Sequence, residues 1–423
     1  MVHSGALKLT RRTFMSAATA CGAGLLGLRC MVPWWLRPGP MARIDELSPE
    51  AQALIVEAFD GIDATRVWDV HTHVVGLGRG GTGCWVNPRM RSHFHPIERL
   101  RFEIYFAAAG VRNEKSADDE YLQRLFALHR AANPKGKLVL LAFDKHVLPD
   151  GTEQPKDTPF YTPNEYVLRL ANEADDLRAC ASVHPYRKDA IARLEKALEG
   201  GAVAVKWLPN AMGIDPMSKM CDPFYRVLAD NSIPLLTHTG LEKAVRASQH
   251  QGLGNPLRIR RALDAGVTVL AAHCASLGDD QDLDLTHSHS PSEANELESF
   301  DLFLRLMEEK QYEKTLFGEI SAMTQVNRSK RPLRKMLQLT ELHPRLVNGS
   351  DYPLPAVNPM ISTRILSQRG YLLREERKVL NEIFEGNPLL FDFVLKRRVR
   401  WIEGESEKRF APIVFETSRV FGA

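Results

Sequence analysis

Residues 67–75 read VWDVHTHVV, and the fold follows from them. Val67, Trp68 and Val70 make a short apolar strand that closes on His71 and His73. Side chains alternate along a strand, so positions two apart share a face. Both imidazoles therefore aim at one point just past the strand end, as a metal site requires. Such a pair is weak evidence alone. Two further pairs, His93/His95 and His287/His289, follow no apolar strand. What raises the first pair is that similar strand ends recur, each carrying a ligand-type residue.

Short apolar runs alternate with amphipathic helical patterns over residues 65–395. The strand candidates are 65–71, 137–143, 179–184, 202–207, 233–238, 267–273, 315–321 and 345–351. Between them lie patterns such as AIARLEKALEG and FDLFLRLMEEK, several ending at Gly200, Gly266 or a proline. Strand–helix alternation implies a parallel sheet, and eight strands imply an α/β fold of the (β/α)8 TIM-barrel class. Two insertions stand out, 76–135 after the first strand and 275–296 after the sixth. Both fall at the C-terminal face of the barrel, where loops build sites. The glycine-rich GLGRGG within the first fails as a nucleotide loop, because no Gly-Lys-Ser/Thr follows it.

A chain of 423 residues with a net charge of +3 and dispersed basic residues gives no footprint for nucleic acid. The KRRVR run at Lys396–Arg400 reads as a solvated helix end. The six cysteines form no CxxC pair, so neither a disulfide framework nor a cysteine-type zinc site is expected. Cys180 and Cys274 fall in apolar strand runs and read as buried small hydrophobes.

Residues 8–29 differ from the rest. Arg11, Arg12 and Phe14 precede a modest apolar stretch, too short and too rich in small residues for a stable membrane span. The pattern resembles a twin-arginine export signal. It implies a periplasmic or exported protein, or a cytoplasmic one if the leader does not function. The expected organisation is a leader and linker over 1–40, a single barrel over 41–400 and a C-terminal tail over 401–423.

The strand ends carry His71 and His73 (first), Lys206 (fourth), His238 (fifth), His273 (sixth), Glu319 (seventh) and Asp351 (eighth). In a barrel all of these face one mouth. Three histidines and an aspartate make a chemically complete set for zinc, with a position left for water. An aspartate beside an activated water can also accept its proton. Each residue alone has a plainer reading. Asp351 in NGSDYP could cap a turn, Lys206 could snorkel to the surface, and Glu319 could be a buried polar group bonded to backbone. His184, ending the third strand, reads as a structural histidine.

The order of these residues, with the segments VHTH, VKWLPNAMGIDP, THTG, AAHC, NGSDYP and IFEGNPLLF, resembles the amidohydrolase superfamily. Within it the likeness is to the amidohydrolase-related branch, which holds hydrolases, decarboxylases and hydratases. The resemblance implies His71, His73, His238 and Asp351 as metal ligands and His273 as the histidine that orients substrate or water. It implies a divalent ion, zinc by preference, although such a ligand set also accepts manganese, iron or cobalt. Lys206 stays open: carboxylated, it would bridge two metals with His273 joining the second; as an ammonium it would partner a substrate carboxylate. Glu319 would hold a ligand histidine. Asn387 and Pro388 match a closing structural helix.

Three functions compete. The first is a metal-dependent hydrolase cutting an amide, lactone or ester-like bond of a small molecule through metal-activated water, with Asp351 as base. The second is a decarboxylase or hydratase, a lyase, using the same ligands on a small carboxylated substrate. The third is a non-catalytic binding barrel, which should have lost a ligand. The expected partner is a small molecule, with no nucleic acid and no stable membrane span; a homo-oligomer is left open.

Overall fold

The computed structural model describes residues 43–247, 249–285 and 295–422. The twin-arginine segment with Arg11 and Arg12, and the pair His287/His289, lie outside the described residues.

Eight parallel strands form one sheet in chain order. They are β1 (Trp68–His73), β2 (Lys137–Leu141), β3 (Leu177–Ala181), β4 (Ala202–Trp207), β5 (Leu235–His238), β6 (Val269–Ala272), β7 (Leu316–Glu319) and β8 (Leu346–Val347). The sheet closes between β8 and β1: Val70 N donates to Asn348 O at 3.2 Å, Asp351 N to His71 O at 2.7 Å, and His73 N to Tyr352 O at 3.1 Å. The molecule is therefore the (β/α)8 barrel that the alternation predicts, with every expected strand present.

Two-residue periodicity explains how it is filled. Val139 and Leu141 of β2 join Trp68, Val70, Cys180, Ala204, Leu236 and Leu270 in the barrel interior. Their neighbours Leu138 and Leu140 point outward, under Tyr121, Leu125 and Leu128 of the helix Ala117–Ala131. The end of the chain closes the bottom: Phe421 stacks on Trp68 at 4.9 Å, and Val420 joins the same interior cluster. Asn387 caps the helix Pro388–Arg398, accepting from Leu389 N and Leu390 N, and its amide donates to Leu128 O at 2.7 Å. It is structural, as expected.

The run Lys396–Arg400 corrects the sequence reading. Lys396 is fully buried and Arg400 is 5% exposed. Lys396 Nζ donates to Gly349 O at 2.7 Å and Asn348 Oδ1 at 3.3 Å, and pairs with Asp392 one helical turn earlier. The chain leaving β8 presents inward carbonyls, and a buried ammonium satisfies them. Arg400 pairs with Glu376 at 2.9 Å.

The first insertion places the helix Pro96–Ala108 over the barrel mouth, with Phe102 and Phe106 facing a cleft. The second forms a short antiparallel pair, Asp279–Gln281 with Glu296–Glu298. Among the described residues no helix is long and apolar enough to cross a membrane.

Candidate metal centre

Strict alternation would put His71 and His73 on the face opposite Val70, yet all three belong to the interior side. A register shift between Asp69 and Thr72 resolves this. The irregularity turns the strand end so that both imidazoles reach the mouth. Asp69 Oδ1 holds it, accepting from His71 N at 3.1 Å and from Ser350 N at 2.7 Å. The carboxylate thus ties β1 to the chain leaving β8.

That chain is NGSD, and each position has a task. A Cβ at Gly349 would sit 2.6 Å from both Glu319 Oε1 and His71 Cβ, so only glycine lets the backbone pass. Asp351 takes a left-handed φ of 62°, a conformation aspartate tolerates better than most side chains, and so turns its carboxylate inward.

His71 has a defined tautomer. Its Nδ1 lies 3.1 Å from Glu319 Oε2, so it donates there and leaves Nε2 as a lone pair. Around that lone pair stand Lys206 Nζ at 3.3 Å and Asp351 Oδ1 at 3.5 Å. His73 Nε2 is 3.3 Å from the same Asp351 oxygen. His71, His73 and Asp351 present ligand atoms close enough to share one ion. His71, His273 and Glu319 also cluster, but that set would use His71 Nδ1, which the Glu319 contact already occupies. The first set is the one that fits.

His238 lines the same cleft, 3% exposed, with its ligand nitrogens outside that close set. Its Nδ1 is 3.5 Å from Glu242 Oε2, and its buried Nε2 has no hydrogen-bond partner among the described residues. A buried orphaned imidazole nitrogen is what a missing cation would explain. His273 is anchored by Nδ1, 2.8 Å from Ser321 Oγ, which donates to Glu319 Oε2 at 2.7 Å. Its ring is 5.1 Å from that of His238.

Burial, followed by the nearby Lys206, holds His71 and His238 well below the usual imidazole range; burial, then Arg328, does the same to His273. Neutral imidazoles are the form that binds metal. Burial also lowers Lys206, which favours the free amine that carboxylation needs. Glu319 is fully buried, and burial raises it. The donor set therefore fits a divalent cation.

These side chains line one cleft of about 1150 Å³, counted out to its open mouth. The sequence candidates His71, His73, Lys206, His238, His273 and Asp351 all face it. Glu319 lies behind His71. Of the remaining histidines, His184 donates to Met212 O at 2.9 Å and accepts from Tyr186 N, a structural arrangement. His93 is exposed beside Arg99, and neither it nor His95 lines the cleft. Sequence reasoning missed Asp69, Ser321, Glu242 and Arg328. The parity clash between Val70 and His71 was the one signal for Asp69; the others lie on loops with no period to read.

No family model matches the chain, and no curated protein matches it. Solved structures do. An uncharacterized TIM-barrel protein from Bordetella bronchiseptica is 16% identical over 75% of this chain and 99% of its own, with a TM-score of 0.44. A putative 2-pyrone-4,6-dicarboxylic acid hydrolase from Pseudomonas putida is 14% identical over 78% and 99%, at 0.40. A 4-oxalomesaconate hydratase from Rhodopseudomonas palustris is 12% identical over 78% and 96%, at 0.41. The barrel itself rests on the strand order and closure above.

Proposed function

We propose that the chain is a metal-dependent hydrolase of the amidohydrolase superfamily, acting on an amide, lactone or ester-like bond of a small molecule. The observation that carries this is the convergence of His71 Nε2, His73 Nε2 and Asp351 Oδ1 in a cleft that His238, its Nε2 unpartnered among the described residues, also lines. Those four residues would hold a divalent ion. When bound, such an ion polarises a carbonyl and lowers the pKa of water toward neutrality.

The chain's own groups supply the rest. Glu319 fixes the His71 tautomer and keeps its Nε2 lone pair on the cleft side. Asp351 accepts the proton of the attacking water and returns it to the leaving group. His273, held by Ser321, orients the substrate oxygen. Lys206, buried beside His71, serves either as a carboxylated bridge for a second ion or as a charged partner of the substrate. The helix Pro96–Ala108 overhangs the cleft and lines it with Phe102 and Phe106.

The test is elemental analysis of protein purified without chelator, followed by assay of lactones and amides against carboxylated aromatics. Turnover of the former group supports hydrolysis. Carbon dioxide release from the latter alone would move the assignment to a lyase on the same ligands. A solved hydratase and decarboxylases are among the structures this chain resembles.

A further inference from the structure

Arg328 lines the same cleft and is 6% exposed. A guanidinium stays charged at any ordinary pH, and burying it without a partner is costly. Yet among the described residues Arg328 forms no ion pair. Its Nη1 donates to Ser276 Oγ at 3.2 Å, and among the described residues Nε is buried without a partner and Nη2 makes no hydrogen bond. The side-on edge formed by Nε and Nη2 is therefore unused. That edge carries two parallel N–H donors, the spacing that a carboxylate accepts bidentately. Glu242 and Asp351 line the cleft too and offset the charge from a distance, without occupying the fork.

The rest of the cleft is of another character. Phe102 and Phe106 of the roof helix form an apolar wall with Val86, Met90 and Phe160. The other lysine at the cleft, Lys243, is exposed, and Lys206 is turned to His71. One buried fork and a wide apolar wall suit an anionic group carried on a bulky apolar body.

We propose that Arg328 is a substrate-binding residue and that the cleft takes an amphiphilic monocarboxylate, its acid on the Arg328 fork and its apolar body against Phe102, Phe106 and Phe160. This deepens the hydrolase reading and rests on the cleft being its active site.

The test uses binding rather than turnover. Calorimetry compares 4-phenylbutyrate with 4-phenylbutyramide, and with acetate, on the protein as purified and again after chelation. The acid should bind about tenfold or more tightly than the amide, as a charge-assisted pair should, and more tightly than acetate. The preference over the amide should survive chelation. Arg328→Met should abolish it, and Arg328→Lys, which keeps charge without the fork, should retain only part. Equal binding of acid and amide by the unmodified protein, no binding of the acid, or an undiminished preference in Arg328→Met would each overturn the proposal. Acetate binding as well as phenylbutyrate would overturn the apolar-body part. The unmodified comparison stands even if a variant fails to fold. Metal content on the same samples reports separately on the hydrolase reading: a metal-free protein that still prefers the acid would sink that reading alone.

Discussion

His71 Nδ1 lies 3.1 Å from Glu319 Oε2, a contact between β1 and β7 across the barrel mouth. It decides which nitrogen of His71 faces the cleft, and it makes Glu319 the group that sets the candidate centre's geometry. Glu319→Gln keeps the shape but weakens the acceptor. Metal affinity, measured by competition with a chromophoric chelator, should fall about 10–100-fold with the fold intact. Unchanged affinity would reduce Glu319 to a buried structural acid.

Asp69 should matter out of proportion to its place in the sequence. Its carboxylate accepts the amides of His71 and Ser350. Asp69→Ala leaves two backbone donors unpaired, so thermal unfolding should show a loss of about 1–3 kcal/mol. Because the strand irregularity then loosens, metal affinity should fall as well. A stability loss with full metal affinity would show that the irregularity holds without Asp69.

Asp351→Asn separates two roles of one carboxylate. The amide oxygen can still face the cation, but it cannot take a proton. With any substrate in hand, kcat should drop about 10²–10⁴-fold while metal content changes little. Near-normal kcat would reject Asp351 as the base.

Acid stability should report on His184. Burial pulls this imidazole down to about 4, and both ring nitrogens are engaged in the neutral form. The unfolded chain therefore binds the proton first. Stability from this site is complete above the unfolded value of about 6.5 and is lost as pH falls from there toward 4. Over that window the loss should approach about 3 kcal/mol. Denaturant unfolding at several pH values should show a shallower acid slope in His184→Gln than in the parent; identical slopes would assign the acid sensitivity elsewhere.

The sequence disclosed the barrel and the cleft-facing residues for one reason: strands are periodic, and a ligand at a strand end keeps a fixed relation to its apolar run. His238 after LLT and His273 after VLAA are legible in that way. The strand irregularity at Asp69 was not, because it breaks the period that makes strands readable. Arg328, Glu242 and Ser321 lie on loops, where position in sequence says little about position in space. Lys396 was misread because a basic helix end is ordinarily solvated, and only the packing of that helix under NGSD reveals the carbonyls it satisfies.

The central claim is that His71, His73, His238 and Asp351 hold a divalent ion. Elemental analysis of the protein purified without chelator, beside His71→Ala and His238→Ala, tests it most directly. The unmodified protein should carry about one ion per chain, or two if Lys206 is carboxylated, and both variants should lose it, since groups behind the ligands cannot replace a direct bond. A metal-free unmodified protein, or full metal content in both variants, would contradict the account.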